Sequence, residues 1–381
     1  MNKPLRILHV VNCMDTGGAE TFIMNIYRNI DRNLVQFDFV VHGEEEGIYK
    51  EAIKEFGGRI FHAPKFSKYH LLRYKNWWVK FFLTHRDYRV VHSHVRTTTP
   101  ILFYAARRQK VITISHSHST SNGHKFRQKL KGISNYFTRI LSDYMIGCSD
   151  QAGRWLFGKR GIQSKNYYTL NNGIDVNKFH FDLTVRSRIR TELNVTDAFL
   201  IGHVGRFAAV KNQEYLIEIF PEILKVVPKA KLLFIGEGSL INQMKLLVNE
   251  KGLQDFIVFL DKSLNIEDYM MAMDLFLLPS LHEGIPLVLI ESQATGLRSI
   301  VSNNVSRQVD LTGLVSFCDI ANKQQWIEKI RNVSTSHYLR SSQKLQIQKQ
   351  RYDIKSTTDT LQNLYLRLFL KGEQRSDRYE L

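Results

Sequence analysis

Two doubly wound α/β domains, each on a parallel sheet, are what this sequence predicts, and three observations predict them. Short runs rich in Val, Ile, Leu and Phe alternate with helical patterns through both halves, as successive β-α units require. Most of those runs are continuously apolar rather than alternating, which suits strands covered on both faces. At 381 residues the chain has the length of about two ordinary domains.

The strands of the first half read RILHVVN (6–12), FDFVVHG (37–43), RIFHA (59–63), RVVHSHV (89–95), VITISHSH (111–118) and YMIGCS (144–149). Those of the second read FLIGHVGRF (199–207), KLLFIGEG (231–238), FIVFLD (256–261), LFLLPS (275–280) and SIVSN (299–303). Helices fill the gaps. AETFIMNIYRNI puts Phe22, Ile23, Ile26 and Ile30 on one stripe, and NQEYLIEIFPEILKVV does the same with Leu216, Ile219, Ile223 and Val227. The turn in YTLNNGIDVNKF (168–179) marks the join. This gives an N-terminal domain over 1–175 and a C-terminal one over 176–356. The amphipathic segment TDTLQNLYLRLFL has no strand after it, so residues 357–381 are expected to return to the N-terminal domain.

Composition narrows the class. A hydrophobic fraction of 43% supports a core in each half. Cys13, Cys148 and Cys318 are widely spaced with no CxxC pair, which argues against a disulfide framework or a thiolate zinc site and fits a reducing compartment. The apolar run at the N-terminus is too short for a secretory h-region, and nothing approaches a membrane span, so a cytoplasmic protein is expected.

The net charge of +17 is unevenly placed: residues 1–175 hold 27 Lys and Arg against 13 Asp and Glu, and residues 176–381 hold 26 against 23. Between Glu55 and Asp143 the sole acidic residue is Asp87, against 17 basic ones. Such a one-sided field implies an anionic partner, whereas a merely solvated face would mix signs.

Two common nucleotide chemistries are excluded. GEGSLI at 236 lacks the third glycine of G-x-G-x-x-G, NCMDTGGAE lacks its spacing, and no Walker-type G-x-x-x-x-G-K-[ST] occurs. Each half instead has a glycine turn leading from a strand into a helix: Gly17-Gly18 in the first and VGRFAAVKN in the second. Exposed amides at a helix start bind phosphate, although paired glycines alone are more often a plain tight turn. Arg206 and Lys211 tip the balance, because both fall after the first strand of the second half, on the ligand-binding edge of such a sheet. A guanidinium plus an ammonium neutralises a diphosphate without a metal.

HEGIPLVLIESQATG (282–296) supplies the rest. Pro286 suits the first helical position, so a helix with free amides is expected to start near Gly284 to Leu287. Helical side chains lean toward the N-terminus, which lets Glu291 reach the space that Glu283 faces from the loop. Two carboxylates beside a cationic clamp fit hydroxyls on either side of a diphosphate. The ligand this arrangement asks for is a nucleotide diphosphate sugar.

These motifs resemble a known family. GGAE (17–20), HSH (116–118), NGID (172–175), GRFAAVKN (205–212), GEG (236–238) and EGIPLVLIE (283–291) run nearly end to end. Together they look like a retaining glycosyltransferase of the GT-B fold, glycosyltransferase family 4, of the sort that builds bacterial capsule and exopolysaccharide. The resemblance implies two Rossmann-like domains facing across a cleft. It implies that Glu283 and the backbone of Gly284, Ile285, Pro286 and Leu287 hold the donor sugar, Glu291 the ribose, and Arg206 with Lys211 the diphosphate. Gly236 and Lys262 would complete the donor site, Gly17 and Gly18 would let the first loop approach donor phosphate and acceptor, and His116 would sit beside the donor sugar. Catalysis would fall to His116, Glu283, Arg206 and Lys211, with no metal or other cofactor. One position departs from the family: Asp261 stands where glycine usually meets the nucleobase, so the base is left open, with a UDP-sugar preferred.

His92/His94 and His116/His118 are i, i+2 pairs, and each shares one face of a strand. With no cysteine or acid cluster beside them, no metal is expected. SKYHLLRYKNWWVKFFL (67–83) and GHKFRQKLKGISNYFTRIL (123–141) interleave basic residues with aromatics at near-helical spacing, as segments on anionic membranes do. Core packing is the rival account of the aromatics. The expectation is a peripheral protein on the inner face of the cell membrane, acting on a lipid-linked saccharide acceptor. A sugar-nucleotide epimerase of the same fold is the alternative. A nucleic-acid-binding protein is less favoured, since no such module appears.

Overall fold

The computed structural model describes residues 3–15, 17–118, 125–261 and 265–376. The chain divides into two compact units, Met1–Gly173 with Ile354–Leu381, and Ile174–Asp353. The first unit holds a seven-stranded sheet: β1 (Leu5–Val10), β2 (Val35–His42), β3 (Ile60–Ala63), β4 (Val90–Ser93), β5 (Ile112–Ser117), β6 (Tyr144–Gly147) and β7 (Tyr167–Thr169). The second holds six: β8 (Phe199–Val204), β9 (Ala230–Ile235), β10 (Ile257–Leu260), β11 (Leu275–Leu278), β12 (Ser299–Ser302) and β13 (Val315–Cys318).

The strand orders are β3-β2-β1-β4-β5-β6-β7 and β10-β9-β8-β11-β12-β13. Every pairing is parallel. Both units are therefore doubly wound Rossmann-like sheets, as the apolar runs require. In each, the winding reverses beside the first strand, between β1 and β4 and between β8 and β11. At such a reversal neighbouring loops diverge and leave a crevice at the carboxyl ends of the strands.

Two strands escape the sequence reading. The three residues of β7 are half-buried or exposed, and β13 exposes Ser316 between buried ends. Both lie at the edge of a sheet, where one-sided cover removes the continuous apolar run that marks the inner strands.

Helix Gly18–Asn29 lays Phe22, Ile23 and Ile26 into the first core. Ile30, just past its end, is buried in the same cluster. The long helix Ile354–Ser376 adds Leu361, Leu364, Tyr365 and Leu368 to that cluster and packs on β1, β2 and β4. Each such side chain contributes about 1.5–3 kcal/mol by leaving water, which is what returns the C-terminal helix to the first unit. In the second unit helix Gln213–Val226 buries Leu216, Ile219 and Ile223 by the same spacing.

Candidate functional site

The switch point of the second sheet gathers most of the residues singled out from the sequence. The loop after β8 runs Gly205–Phe207 and is stitched to the loop after β9. The Gly205 amide donates to the Ile235 carbonyl at 3.0 Å and the Phe207 amide to the Glu237 carbonyl at 2.9 Å. Gly236 has φ +150°, and a Cβ there would strike the Gly205 carbonyl oxygen. Only glycine lets these two loops close. The Gln213 side chain donates to the Arg206 carbonyl at 2.9 Å and pins the loop from the following helix. The guanidinium of Arg206 points outward, exposed and without an ion pair among the described residues.

Lys211 behaves differently. Its Nζ lies 2.5 Å from Glu283 Oε1, with both side chains largely covered. Glu283 is held in place by its backbone, whose amide donates to the Asn304 carbonyl and whose carbonyl accepts from the Ser306 amide, both at 3.3 Å. The buried Ser280 hydroxyl donates to the same carboxylate oxygen at 3.3 Å. The structure thus joins the cation expected to hold diphosphate to the carboxylate expected to hold sugar. The loops after β8 and β11 also meet directly, the Leu281 amide donating to the Val210 carbonyl at 2.8 Å.

The helix after β11 spans Leu287–Ala294, with Pro286 as its extended N-cap rather than its first helical residue. Proline's fixed φ serves either position, and its ψ of 124° places it outside the helix. Ile285 and Leu287 are half-buried beside it. Glu291 is half-buried and has no hydrogen bond to its carboxylate among the described residues. Burial pushes its pKa up to about 7, with Glu267 on helix Ile266–Ala272 adding to the shift. A desolvated carboxyl with no donor is primed to accept hydroxyl hydrogen bonds. A Cβ at Gly284 or at Gly18 would meet nothing within 4 Å, so packing among the described residues does not demand glycine at either place. Lys262 lies outside the described residues.

His203 was not singled out from the sequence. It is fully buried on β8, with Nδ1 2.9 Å from the Leu277 carbonyl and Nε2 without a partner among the described residues. Burial, with a smaller contribution from the nearby Lys211 cation and against the hydrogen bond to Leu277, lowers its pKa to about 4. The signal was its place two residues before the glycine of VGRF, at the strand end.

In the first unit Gly17 is the extended N-cap of helix Gly18–Asn29. His116, near the end of β5, is 1% exposed and lies edge-on to Phe22 of that helix, with centroids 5.4 Å apart. It does not stand alone. His9 on β1 is in register with His92 on β4, and His92 with Ile114, two residues before His116. The alternation of a strand therefore sets His9, His92, His94, His116 and His118 on one face. His9 Nδ1 lies 2.9 Å from His94 Nε2, His94 Nδ1 lies 2.7 Å from His118 Nε2, and His92 Nδ1 lies 2.6 Å from the Tyr365 hydroxyl. The two sequence pairs are one five-imidazole cluster, and its fifth member, His9, was not foreseen because strand pairing is not a local signal.

The two basic segments part company. On helix Leu71–Thr84 the aromatics Tyr74, Trp78, Phe81 and Phe82 are core, with Leu72 left outside. On helix Lys125–Leu141 an apolar stripe of Ile133, Tyr136, Phe137 and Ile140 is exposed. The side chains of Lys68 and of residues 125–131 lie outside the described ones. Among the described residues no helix is long and apolar enough to cross a membrane.

Comparison with known proteins agrees with the fold. A model of group 1 glycosyl transferases matches residues 185–350, and one of glycosyltransferase family 4 matches residues 16–178. EpsF of Bacillus subtilis, named as a glycosyltransferase, is 30% identical over 370 residues, 94% of this chain and 96% of EpsF. The UDP-Gal:alpha-D-GlcNAc-diphosphoundecaprenol alpha-1,3-galactosyltransferase of Escherichia coli is 27% identical over 232 residues, 58% of this chain and 59% of that enzyme. Anabaena HepE, solved in complex with UDP, shares the fold with a TM-score of 0.72 at 17% identity, over 98% of this chain and 99% of HepE. The two Rossmann-like sheets are accordingly those of the GT-B fold, and the chain belongs to the group 1, family 4 glycosyltransferases.

Proposed function

We propose that this glycosyltransferase is a retaining hexosyltransferase that takes its sugar from a UDP-sugar and gives it to a lipid-linked saccharide in surface-polysaccharide synthesis. The observation that carries the reading is the Lys211–Glu283 pair at the switch point, with the unpartnered Glu291 following on the next helix. A diphosphate arriving at Arg206 and Lys211 takes over the ammonium and releases the Glu283 carboxylate to accept from a sugar hydroxyl. Glu291 accepts from the ribose. As the glycosidic bond breaks, negative charge grows on the departing diphosphate, and the two cations with the amides at the start of helix Leu287–Ala294 stabilise it where it appears. Gly236 keeps the loop closed, while the open space at Gly284 leaves room for ligand. No divalent ion is needed at the diphosphate. Retention then follows from attack on the face the leaving group vacates, with the leaving phosphate taking the acceptor proton. The UDP and the lipid-diphosphate acceptor are supported by the Escherichia coli relative's name, and the surface-polysaccharide setting by the motifs of the chain. The epimerase alternative is not favoured.

The test is a thermal-shift screen of UDP-, GDP- and other nucleotide sugars. A true donor at a hundred times its Kd stabilises by about 2.7 kcal/mol, and no stabilisation by any UDP-sugar would overturn the donor assignment. Glu283→Ala and Glu291→Ala should each weaken donor use by roughly 1–3 kcal/mol, the loss of a charged hydrogen bond. Glu291 adds a pH signature. Its free-state pKa of about 7 leaves it half-protonated at neutral pH, and only the carboxylate accepts two hydroxyls. Donor affinity should therefore rise from pH 6 to pH 8 with proton release on binding, and Glu291→Gln should flatten that profile.

The exposed stripe on helix Lys125–Leu141, within a stretch rich in basic residues, supports reversible attachment to the inner leaflet of the cell membrane. Basic residues near an anionic leaflet contribute about 1 kcal/mol each, and salt weakens the attraction. Co-sedimentation with liposomes should rise with anionic-lipid content and fall with salt. Charge reversal at Lys125, Arg127, Lys129 and Lys131 should release the protein, and reversal at Lys68, Arg73, Lys75 and Lys80 should not. Binding indifferent to lipid charge removes the membrane reading and leaves the transferase reading intact.

A further inference from the structure

We propose that His94, His116 and His118 form a binding site for one borderline-soft divalent transition-metal ion such as Zn²⁺, oriented from behind by His9. Their ring nitrogens include a set that lies within 4.8 Å of one another, the spread of donors around a single ion. The cluster is short of partners. Among the described residues, both ring nitrogens of His116 are buried with none, as are His118 Nδ1, His9 Nε2 and His92 Nε2. Buried imidazole nitrogens left in this state are costly, and a cation takes up lone pairs that no protein donor reaches.

The two contacts of His94 fit ligation. Its Nδ1 and His118 Nε2 stand 2.7 Å apart, sharing one proton between two lone pairs. Replacing that proton by an ion with metal–nitrogen bonds of about 2.0–2.1 Å needs only a modest opening of the two rings. His94 Nε2 then carries the hydrogen and donates to His9 Nδ1 at 2.9 Å, the outward bond that fixes a ligand's tautomer and ring plane. His92 is tied to Tyr365 and lines the inner wall. His94 and His118 are only half-buried, so an ion has a way in. Neutral imidazoles without carboxylates suit zinc, copper or nickel, not magnesium or calcium. The sequence expectation of no metal rested on missing partners for two histidine pairs, and strand register supplies them by merging the pairs and adding His9.

This site lies within the first unit, and its readout is metal uptake rather than turnover, so it stands or falls apart from the donor reading. Tag-free protein is stripped with a chelator, exchanged into chelator-free buffer and titrated with Co²⁺. One equivalent should bind and give the intense visible bands of a low-coordinate ion, and one equivalent of Zn²⁺ should displace it. Second-sphere losses cost 10–100-fold in metal affinity, so His94→Gln and His118→Gln should each cost at least about a hundredfold. His203→Gln, in the other unit, should leave metal uptake unchanged. Zn²⁺ should also raise the Tm of the wild type, saturating at one equivalent, whereas Mg²⁺ should not, a measurement that stands even if the variants fail to fold. Absence of stoichiometric uptake, a weak octahedral spectrum, or uptake undiminished in both variants overturns the proposal.

Discussion

Arg206→Ala is expected to lower turnover about 10²–10³-fold while leaving the melting temperature where it was. The magnitude is that of removing one preorganised donor from a developing oxyanion, roughly 2.7–4 kcal/mol. The unchanged stability follows from the surroundings, because the side chain is exposed and makes no ion pair among the described residues. A residue that stabilises nothing in the free protein and yet is needed for rate must act on the ligand. Lys211→Ala should be as damaging and less clean, since it strips the partner from a largely covered Glu283 and removes some stability as well. Glu283→Gln separates the two effects: it keeps Lys211 in place, and its loss should appear mainly in sugar-dependent steps. With the clamp intact, Mg²⁺ or Mn²⁺ added after chelation should gain nothing. Strong rescue by either ion, or an Arg206→Ala enzyme at full rate, would remove the clamp from the mechanism.

How much of this was legible depends on range. The inner strands were, because a strand covered on both faces must be apolar throughout, and so were the buried stripes of helices Gly18–Asn29 and Gln213–Val226. That Arg206, Lys211 and Glu283 fall on one sheet edge followed from strand-loop-helix order alone. The Lys211–Glu283 contact did not, since it depends on β8 and β11 being neighbours across the winding reversal. His9 was hidden for the same reason: its partners are set by the register of β1 on β4. The aromatics of 67–83 and 123–141 share a composition, yet four of the first set are core and the second includes an exposed stripe. Spacing marks a face without saying which way it turns. Glu291 shows the same limit in electrostatics, since its carboxyl is raised by burial and by Glu267, which the topology brings close.

Acid should unfold the metal-free first unit unusually early. His9 and His118 have pKa values pushed down to about 3 by burial, and His92, His94 and His116 are held well below the ordinary 6.5 for the same reason. The neighbouring imidazoles reinforce one another, Arg96 adds to the depression at His118, and only Asp38 works the other way, on His9. Above about pH 7 neither state protonates these rings, so stability is flat. Below 6.5 the unfolded chain takes up protons that the folded one refuses, and stability falls as the pH drops toward the folded values. A group costs at most about 1.36 kcal/mol per pH unit, and the five act in the same direction. Against a total of about 5–15 kcal/mol, the added slope moves acid unfolding of the first unit to a higher pH than its carboxylates alone would give. In the second unit His203, at about 4, contributes only one such proton. Urea melts in chelator between pH 5 and 8 give the slope directly, and His116→Leu should lower it by about one group's share. Stability that stays level from pH 7 to pH 5 would mean that the cluster takes up protons in the folded state, which would remove this account of it.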